Sequence, residues 1–468
     1  MLLRGHFFLY YDNFYPSYGH LSMKRQSHWF YPASLSVGLA VAAWAASATP
    51  TPLSHAQAER AVTDASSGEV FQLARVLPRI EDSDLATLAR ARLAAARLDA
   101  AEANRLVARY LAAGQRAPAQ RALAWPIAAD ADFANGDYRK AADAANAWKK
   151  ALIEQHASAD DVAGAQQMAN VADQLAGTSA QQVDVYTPKA EPVKRDKVGL
   201  PRSLAAINGK PQEVVPVTGA NLSVVSLSTA HKLGLRLLDG TASVGSASSA
   251  AVASRIGIAD HLEFAGLTLS HVAFLVLDDQ QLNMPVPGGY QIDAILGFPV
   301  LRQLQRLEFT ANGKLLPSRS DAAQPGEGNL RMAGSDLYVE VMLNDLPVAM
   351  HLDSGGAASS LSSQFAAQHP AVVKGLTAKQ EHVAGAGGAR ARQSASWPQV
   401  RVRIGDQQTV LPAIGISLSD AGNVKEPNVL GGDILQSFDH WTVDFPHMQF
   451  EVGKPIAPAA PKAKLLSP

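Results

Sequence analysis

Along the chain the spacing of apolar residues changes from helical to strand-like. From about Asp64 to Gly177 the sequence is rich in Ala, Leu, Arg, Asp and Gln and has almost no β-branched runs, which favours helix. Within Asp84–Leu98, Leu85, Leu88, Ala89, Leu93 and Ala96 recur at helical spacing, so one face can pack. Ala100–Ala113, Ala117–Ala134, Tyr138–Gln155 and Asp160–Leu175 read as further helices, with Gly114 and Asn135-Gly136 at turn positions. An antiparallel helical array over 57–182 is expected. Three prolines and mixed charges without periodicity over 183–202 read as a linker. Strand-like alternation follows.

The strand-rich part reads as two copies of one module, lobe 1 over 203–316 and lobe 2 over 330–453, joined by a linker at 317–329 and followed by a Pro- and Ala-rich tail at 454–468. Ile207-Asn208-Gly209-Lys210-Pro211 corresponds to Leu343-Asn344-Asp345-Leu346-Pro347 at an offset of 136 residues. In both, a turn signal separates two strands. Small-residue hairpin tips follow, Val244-Gly245-Ser246-Ala247 in one copy and Val383-Ala384-Gly385-Ala386-Gly387-Gly388 in the other. Ile295-Leu296-Gly297 then matches Val429-Leu430-Gly431, and Leu307-Glu308-Phe309 matches Val443-Asp444-Phe445. Matching landmarks in one order indicate an internal duplication.

Chemistry concentrates in Met350-His351-Leu352-Asp353-Ser354-Gly355-Gly356-Ala357, where an apolar strand runs into Asp-Ser-Gly. Subtracting 136 gives Val214-Val215-Pro216-Val217-Thr218-Gly219-Ala220-Asn221, the same turn with Val217 in the place of the aspartate. These residues resemble the retropepsin-like aspartic peptidases, in which an apolar strand enters Asp-Thr/Ser-Gly-Ala. A glycine-bearing flap follows there, and an Ile/Leu-Leu-Gly segment lies beneath the turn. Over about Leu200–Val452 the resemblance implies two all-β lobes about a pseudo-two-fold axis, following the helical array, with a polypeptide lying in the cleft beneath the flaps. It implies that Asp353 is the catalytic acid/base and that Ser354 and Thr218 brace the two turns. Gly355 and Gly219 allow the tight turn, and Gly356, where the family more often has Ala, is a departure of little consequence. Gly245, Ser246, Ala384, Gly385, Gly387 and Gly388 are flap candidates, and Gly297 and Gly431 support the turns. The stretch Ala134–Ala141 resembles one helix-to-helix turn of tetratricopeptide-like repeats, but no clean period of about 34 residues is present.

The valine matters because two neighbouring carboxylates share one proton, one acting as base on water and the other as acid toward the peptide carbonyl. Val217 can do neither. A carboxylate alone in a partly dry cleft also tends to hold its proton. Pairing of Asp353 with its own mate in a second chain is the alternative, against which the linked first copy competes at high effective concentration. The functions in view are therefore an aspartic-type endopeptidase, a peptide-binding pseudoprotease, and a scaffold whose helical array recruits a protein partner.

Composition narrows these further. The formal net charge of the 468 residues is −1 with no long basic block, which disfavours nucleic acid. There is no cysteine, so thiol catalysis, zinc thiolates and disulfides are excluded. No metal or cofactor is expected. His351 shares a strand face with Asp353, but no second group has ligand spacing, and it reads as a packed histidine. From Met23, a basic start, the apolar run Ala33–Ala48 and Ser54-His55-Ala56 read as a signal peptide cleaved after Ala56, with 1–22 an upstream extension. Ala33–Ala48 is shorter than the roughly 20 residues of a spanning helix. Export to a periplasm or beyond follows, with no membrane attachment after cleavage.

Overall fold

The computed structural model describes residues 4–5, 9–11, 51–246, 252–284, 289–321, 328–385, 388–419 and 426–456. The stretch from Met23 to Ala48 that reads as part of a signal peptide, residues 322–327 of the expected linker and the tail beyond 456 lie outside them, as does the flap candidate Gly387.

Seven α-helices form the array: His55–Asp64 (α1), Val70–Val76 (α2), Ser83–Ala96 (α3), Ala100–Ala112 (α4), Pro118–Asn135 (α5), Tyr138–Glu154 (α6) and Ala159–Ala176 (α7). Local chemistry sets their ends. Asp82 accepts the amides of Asp84 and Leu85 at the start of α3, and Ser158 accepts that of Asp161 at the start of α7. Gly136 closes α5 in the left-handed conformation at φ 84°. The first two helices were not anticipated individually. Ser54 caps α1, so a cut after Ala56 would remove its cap and open its first turn.

Each lobe has an early hairpin, preceded in lobe 2 by the strand Leu330–Ala333. Pro201–Ile207 pairs with Lys210–Pro216, and Asp336–Leu343 with Leu346–Leu352. Their turn residues Asn208-Gly209 and Asn344-Asp345 all have positive φ, as a two-residue hairpin turn with the strands' own twist requires. The two asparagines repeat one arrangement, since Asn208 exchanges backbone and side-chain hydrogen bonds with His261 and Asn344 does so with Arg401. A long second hairpin follows in each lobe, with arms Ala242–Ser246 and Val252–Phe264 in lobe 1 and Ala378–Gly385 and Gly388–Ile404 in lobe 2. The closing strands Arg306–Thr310 and His440–Asp444 pair with each other, Leu307 opposite Val443, in a five-stranded sheet shared by the lobes.

The segment 183–202 departs from its expected linker character. Gln182–Tyr186 is a strand on Leu267–Leu277, and Glu191–Pro192 and Lys194–Arg195 pair as edges of two sheets. In Gln182–Tyr186 the side chains face solvent except Tyr186, whose hydroxyl donates to the Leu304 carbonyl at 2.6 Å. An edge strand exposed on both faces leaves no hydrophobic alternation to read. Two short strands near the start also join the hairpins. Arg4–Gly5 runs parallel to Gly245–Ser246, and Leu9–Tyr11 runs antiparallel to His382–Ala384.

Candidate active site

The two turns face each other and are tied by four hydrogen bonds. Thr218 donates its amide to Ser354 Oγ at 3.0 Å and its hydroxyl to the Leu352 carbonyl at 2.8 Å. Ser354 returns its amide to Thr218 Oγ1 at 3.1 Å and its hydroxyl to the Pro216 carbonyl at 2.9 Å. Both side chains are buried, so these reciprocal bonds satisfy groups that water does not reach. The bracing expected of Thr218 and Ser354 is thus made within one chain.

Around this lock the backbone repeats bond for bond. The amide of Val217 donates to the Leu296 carbonyl at 2.9 Å and that of Asp353 to the Leu430 carbonyl at 3.0 Å. The turns close through Ala220 N–H to Val217 O and Gly356 N–H to Asp353 O. Phe298 and Gly432 then donate to Ala220 and Gly356, each at 2.7 Å. Val217 therefore holds the same backbone position as Asp353.

The side chains at that position enter different surroundings. Asp353 is fully buried, and its Oδ1 accepts the Gly355 amide at 2.9 Å. Val217 is equally buried but packs with Leu200, Val215, Ala220, Tyr290, Ile292 and Ile295, and with Ala357 from the facing turn. The first is a polar centre and the second is core.

The glycines act by close approach. A Cβ at Gly219 would stand 2.6 Å from His351 Nε2 and 2.8 Å from both Asp353 Cγ and Oδ1. Gly219 has no positive φ, so the lack of room, rather than a special turn conformation, demands glycine. At Gly356 a methyl would lie 3.3 Å from Asp353 Oδ2, a tight contact that a shift of a few tenths of an ångström would relieve. Gly297 and Gly431 are excluded from bearing a side chain in the same way, by the Leu222 carbonyl at 2.5 Å and the Ala358 carbonyl at 2.6 Å. Beneath each, a serine accepts the glycine amide: Ser223 at 3.1 Å and Ser359 at 2.9 Å.

Two further groups were not singled out in the sequence. Asp433 accepts the Ser359 amide at 2.8 Å and its hydroxyl at 2.5 Å, so it fixes the serine that holds Gly431. Burial raises its pKa against those hydrogen bonds. In the segment before lobe 1, Asp196 accepts the Tyr290 hydroxyl at 2.5 Å and the Arg202 guanidinium at 2.8 Å, at the border of the Val217 cluster. A cavity of about 340 Å³ opens beside it, lined by Lys194, Arg195, Lys197 and Asp293 among others and by none of the turn residues. His351 is a buried, packed histidine as read. Its ring meets Tyr338 edge-on at 5.6 Å, and burial drives its pKa down to about 3 against hydrogen bonds to the backbone of Leu337 and Gly219.

Among the flap candidates, Gly385 and Gly388 are the last paired residues of the lobe 2 hairpin. Ala384 lies one pair further in, and Gly245 and Ser246 end the first arm of the lobe 1 hairpin. Among the described residues no group of acidic residues and histidines could hold a metal ion, and no helix is long and apolar enough to cross a membrane.

The architecture is a helical array followed by two β lobes. Residues 204–300 match the family described as aspartyl protease, which places the match on lobe 1, the lobe without the acid. No curated protein matches the chain. Among solved structures, a retropepsin-like aspartic protease from Rickettsia conorii aligns at 14% identity and a TM-score of 0.20, covering 30% of this chain and 95% of that one.

Proposed function

We propose that the cleft binds an extended polypeptide and that Asp353 activates water against a peptide bond, in an exported protein. The observation that carries this reading is the reciprocal Thr218–Ser354 lock, which sets the Asp353 carboxyl against the facing turn at Gly219. Asp353 takes the water's proton as the oxygen attacks the carbonyl carbon. The carbonyl oxygen gains the negative charge; it then re-forms the C=O bond as the C–N bond breaks and Asp353 returns its proton to the leaving nitrogen. Val217 has no proton to give at the first of these steps, so hydrolysis is slow compared with a two-carboxylate site.

Incubating the purified chain with carboxymethylated casein at acidic pH tests this. Cleavage that disappears in Asp353→Asn supports the reading, whereas cleavage of equal rate in that variant sinks it.

One observation favours a second reading, capture of a peptide without cutting. The arms of both long hairpins already accept added strands, from Arg4–Gly5 and Leu9–Tyr11. Cleavage after Ala56 would remove both strands and leave the edges open to another extended chain, held by backbone hydrogen bonds. Casein binding with no cleavage in either wild type or Asp353→Asn is the result this reading expects.

A further inference from the structure

We infer that the cavity beside Asp196 binds a carboxylate carried by the polypeptide, within about four residues of the bond that lies against Asp353. The inference rests on the reading of the cleft as a peptide site and adds what that site selects. Tyr290 links the cavity to the turns. It forms part of the cavity wall and also packs in the apolar cluster that holds Val217 and, from the facing turn, Ala357. Glu213 forms another part of the wall, on the strand Lys210–Pro216 that leads into the turn. Glu213 and Val215 are two apart on that strand and so share a face, and Val215 packs with Val217. At about 3.4 Å per residue, the strand sets Glu213 no more than roughly 14 Å from Val217, a span that about four residues of an extended peptide cover.

The lining holds more positive charge than its own carboxylates neutralise. Arg202 is engaged by two of them, donating to Asp196 at 2.8 Å and to Glu213 at 3.2 Å. Asp196 is saturated in turn, since it also accepts the Tyr290 hydroxyl and the amides of Val198 and Leu200, both at 3.0 Å. Burial opposes its charge, yet the bonds from Tyr290, Arg202 and the two amides bring its pKa below the usual carboxylate value. It stays an anion committed to its own neighbours. Lys194, Arg195 and Lys197 are then left with Asp293 as the one remaining carboxylate of the lining. Arg195 gives one N–H to the Gly199 carbonyl at 3.0 Å and Lys197 donates to the Gly289 carbonyl, groups that carry no net charge. Lys194 stands directly opposite Arg202 across the strand pair, and like charges so placed repel. A carboxylate entering the cavity relieves that repulsion.

The matching place in lobe 2 is filled. At the offset of 136 residues Tyr338 stands for Arg202 and Ala349 for Glu213. Both pack on the apolar cluster of the helical array, and Gly68 lies so close to the Tyr338 ring that a Cβ there would be 2.8 Å away. Charge therefore flanks the paired turns on the lobe 1 side. An acidic residue of the polypeptide is selected on one side of the bond and not on the other.

Fluorescence anisotropy with the full chain tests this near neutral pH, where a Glu side chain is ionised. The probes are labelled peptides of Ala, Val and Gln: one with a single Glu and an amidated C-terminus, one with Gln in place of that Glu, and the Gln peptide with a free C-terminal carboxylate. The Glu peptide should bind about tenfold more tightly than the amidated Gln peptide, and the difference should shrink in high salt. Tighter binding by the free-carboxylate peptide alone would support the cavity and identify a chain terminus as the source of the group. Lys194→Gln combined with Lys197→Gln should bring the Glu peptide to the affinity of the Gln peptide. Both lysines are exposed, so the variant keeps its core. A preference that survives in this variant, or equal binding of all the peptides by wild type, would overturn the inference while leaving the cleft as a peptide site. Binding by none of them sinks the peptide-site reading itself.

Discussion

Lobes 1 and 2 hold the same backbone turn by the same hydrogen bonds, yet one turn presents a carboxyl and the other a valine. The difference is confined to the side chain. Val217 and Asp353 donate to equivalent carbonyls, sit over equivalent glycines and are braced by the same Thr218–Ser354 lock. Geometry in this fold therefore does not depend on the acid. Reciprocal hydroxyl–amide bonds and two glycines without room for a Cβ keep the turn in shape, and the residue at its head is free to be chemistry or core.

The sharpest way to break the asymmetry is Val217→Asp. It restores a second carboxyl on a backbone already in place, and cleavage of casein should rise by about 10²- to 10⁴-fold, the usual worth of one acid–base partner. Its stability should fall, because the new carboxyl displaces a valine packed against Leu200, Val215 and Ile295. An unchanged rate in a folded variant would show that the turns are not poised for shared-proton chemistry.

Gly219→Ala probes the contact from lobe 1 to the Asp353 side. With 2.6–2.8 Å to His351 and Asp353, its methyl should cost about 1–3 kcal/mol in denaturant unfolding and disturb the site as well.

A smaller, pH-dependent effect separates the lobes by titration. His351 has no histidine counterpart in lobe 1, where Val215 stands at the equivalent position. In the folded chain it stays neutral down to about 3, whereas in the unfolded chain it takes a proton near 6.5. Between those values the unfolded state binds more protons, so this contribution to stability is present above about 6.5 and lost as pH falls toward about 3. His351→Leu should flatten the dependence of the urea midpoint on pH across that window; an unaltered slope would remove His351 as its source.

Much of this arrangement could be read from the sequence, and what could not has physical causes. Helix spacing located α3–α7 to within a residue or two at each end, because their apolar faces repeat with the helical period. The paired landmarks of the lobes were legible because both copies keep Asn-Gly or Asn-Asp turns and glycines where no side chain fits. Asp433 was missed because it acts through Ser359, a link across 74 residues that no local pattern records. The seating of α7 on the lobe 1 hairpin was equally invisible: an apolar helix face announces burial without naming what covers it.

The strand pair Arg306–Thr310 and His440–Asp444 joins the lobes in one sheet, opposite in sequence position and equal in length. In an assembly of two identical chains every substitution is written twice, so a change that benefits one half is forced on the other. Carrying both lobes on one polypeptide chain removes that constraint, letting mutation and selection act on each half separately. A valine at 217 in the place that Asp353 holds in lobe 2 is the kind of difference such freedom permits.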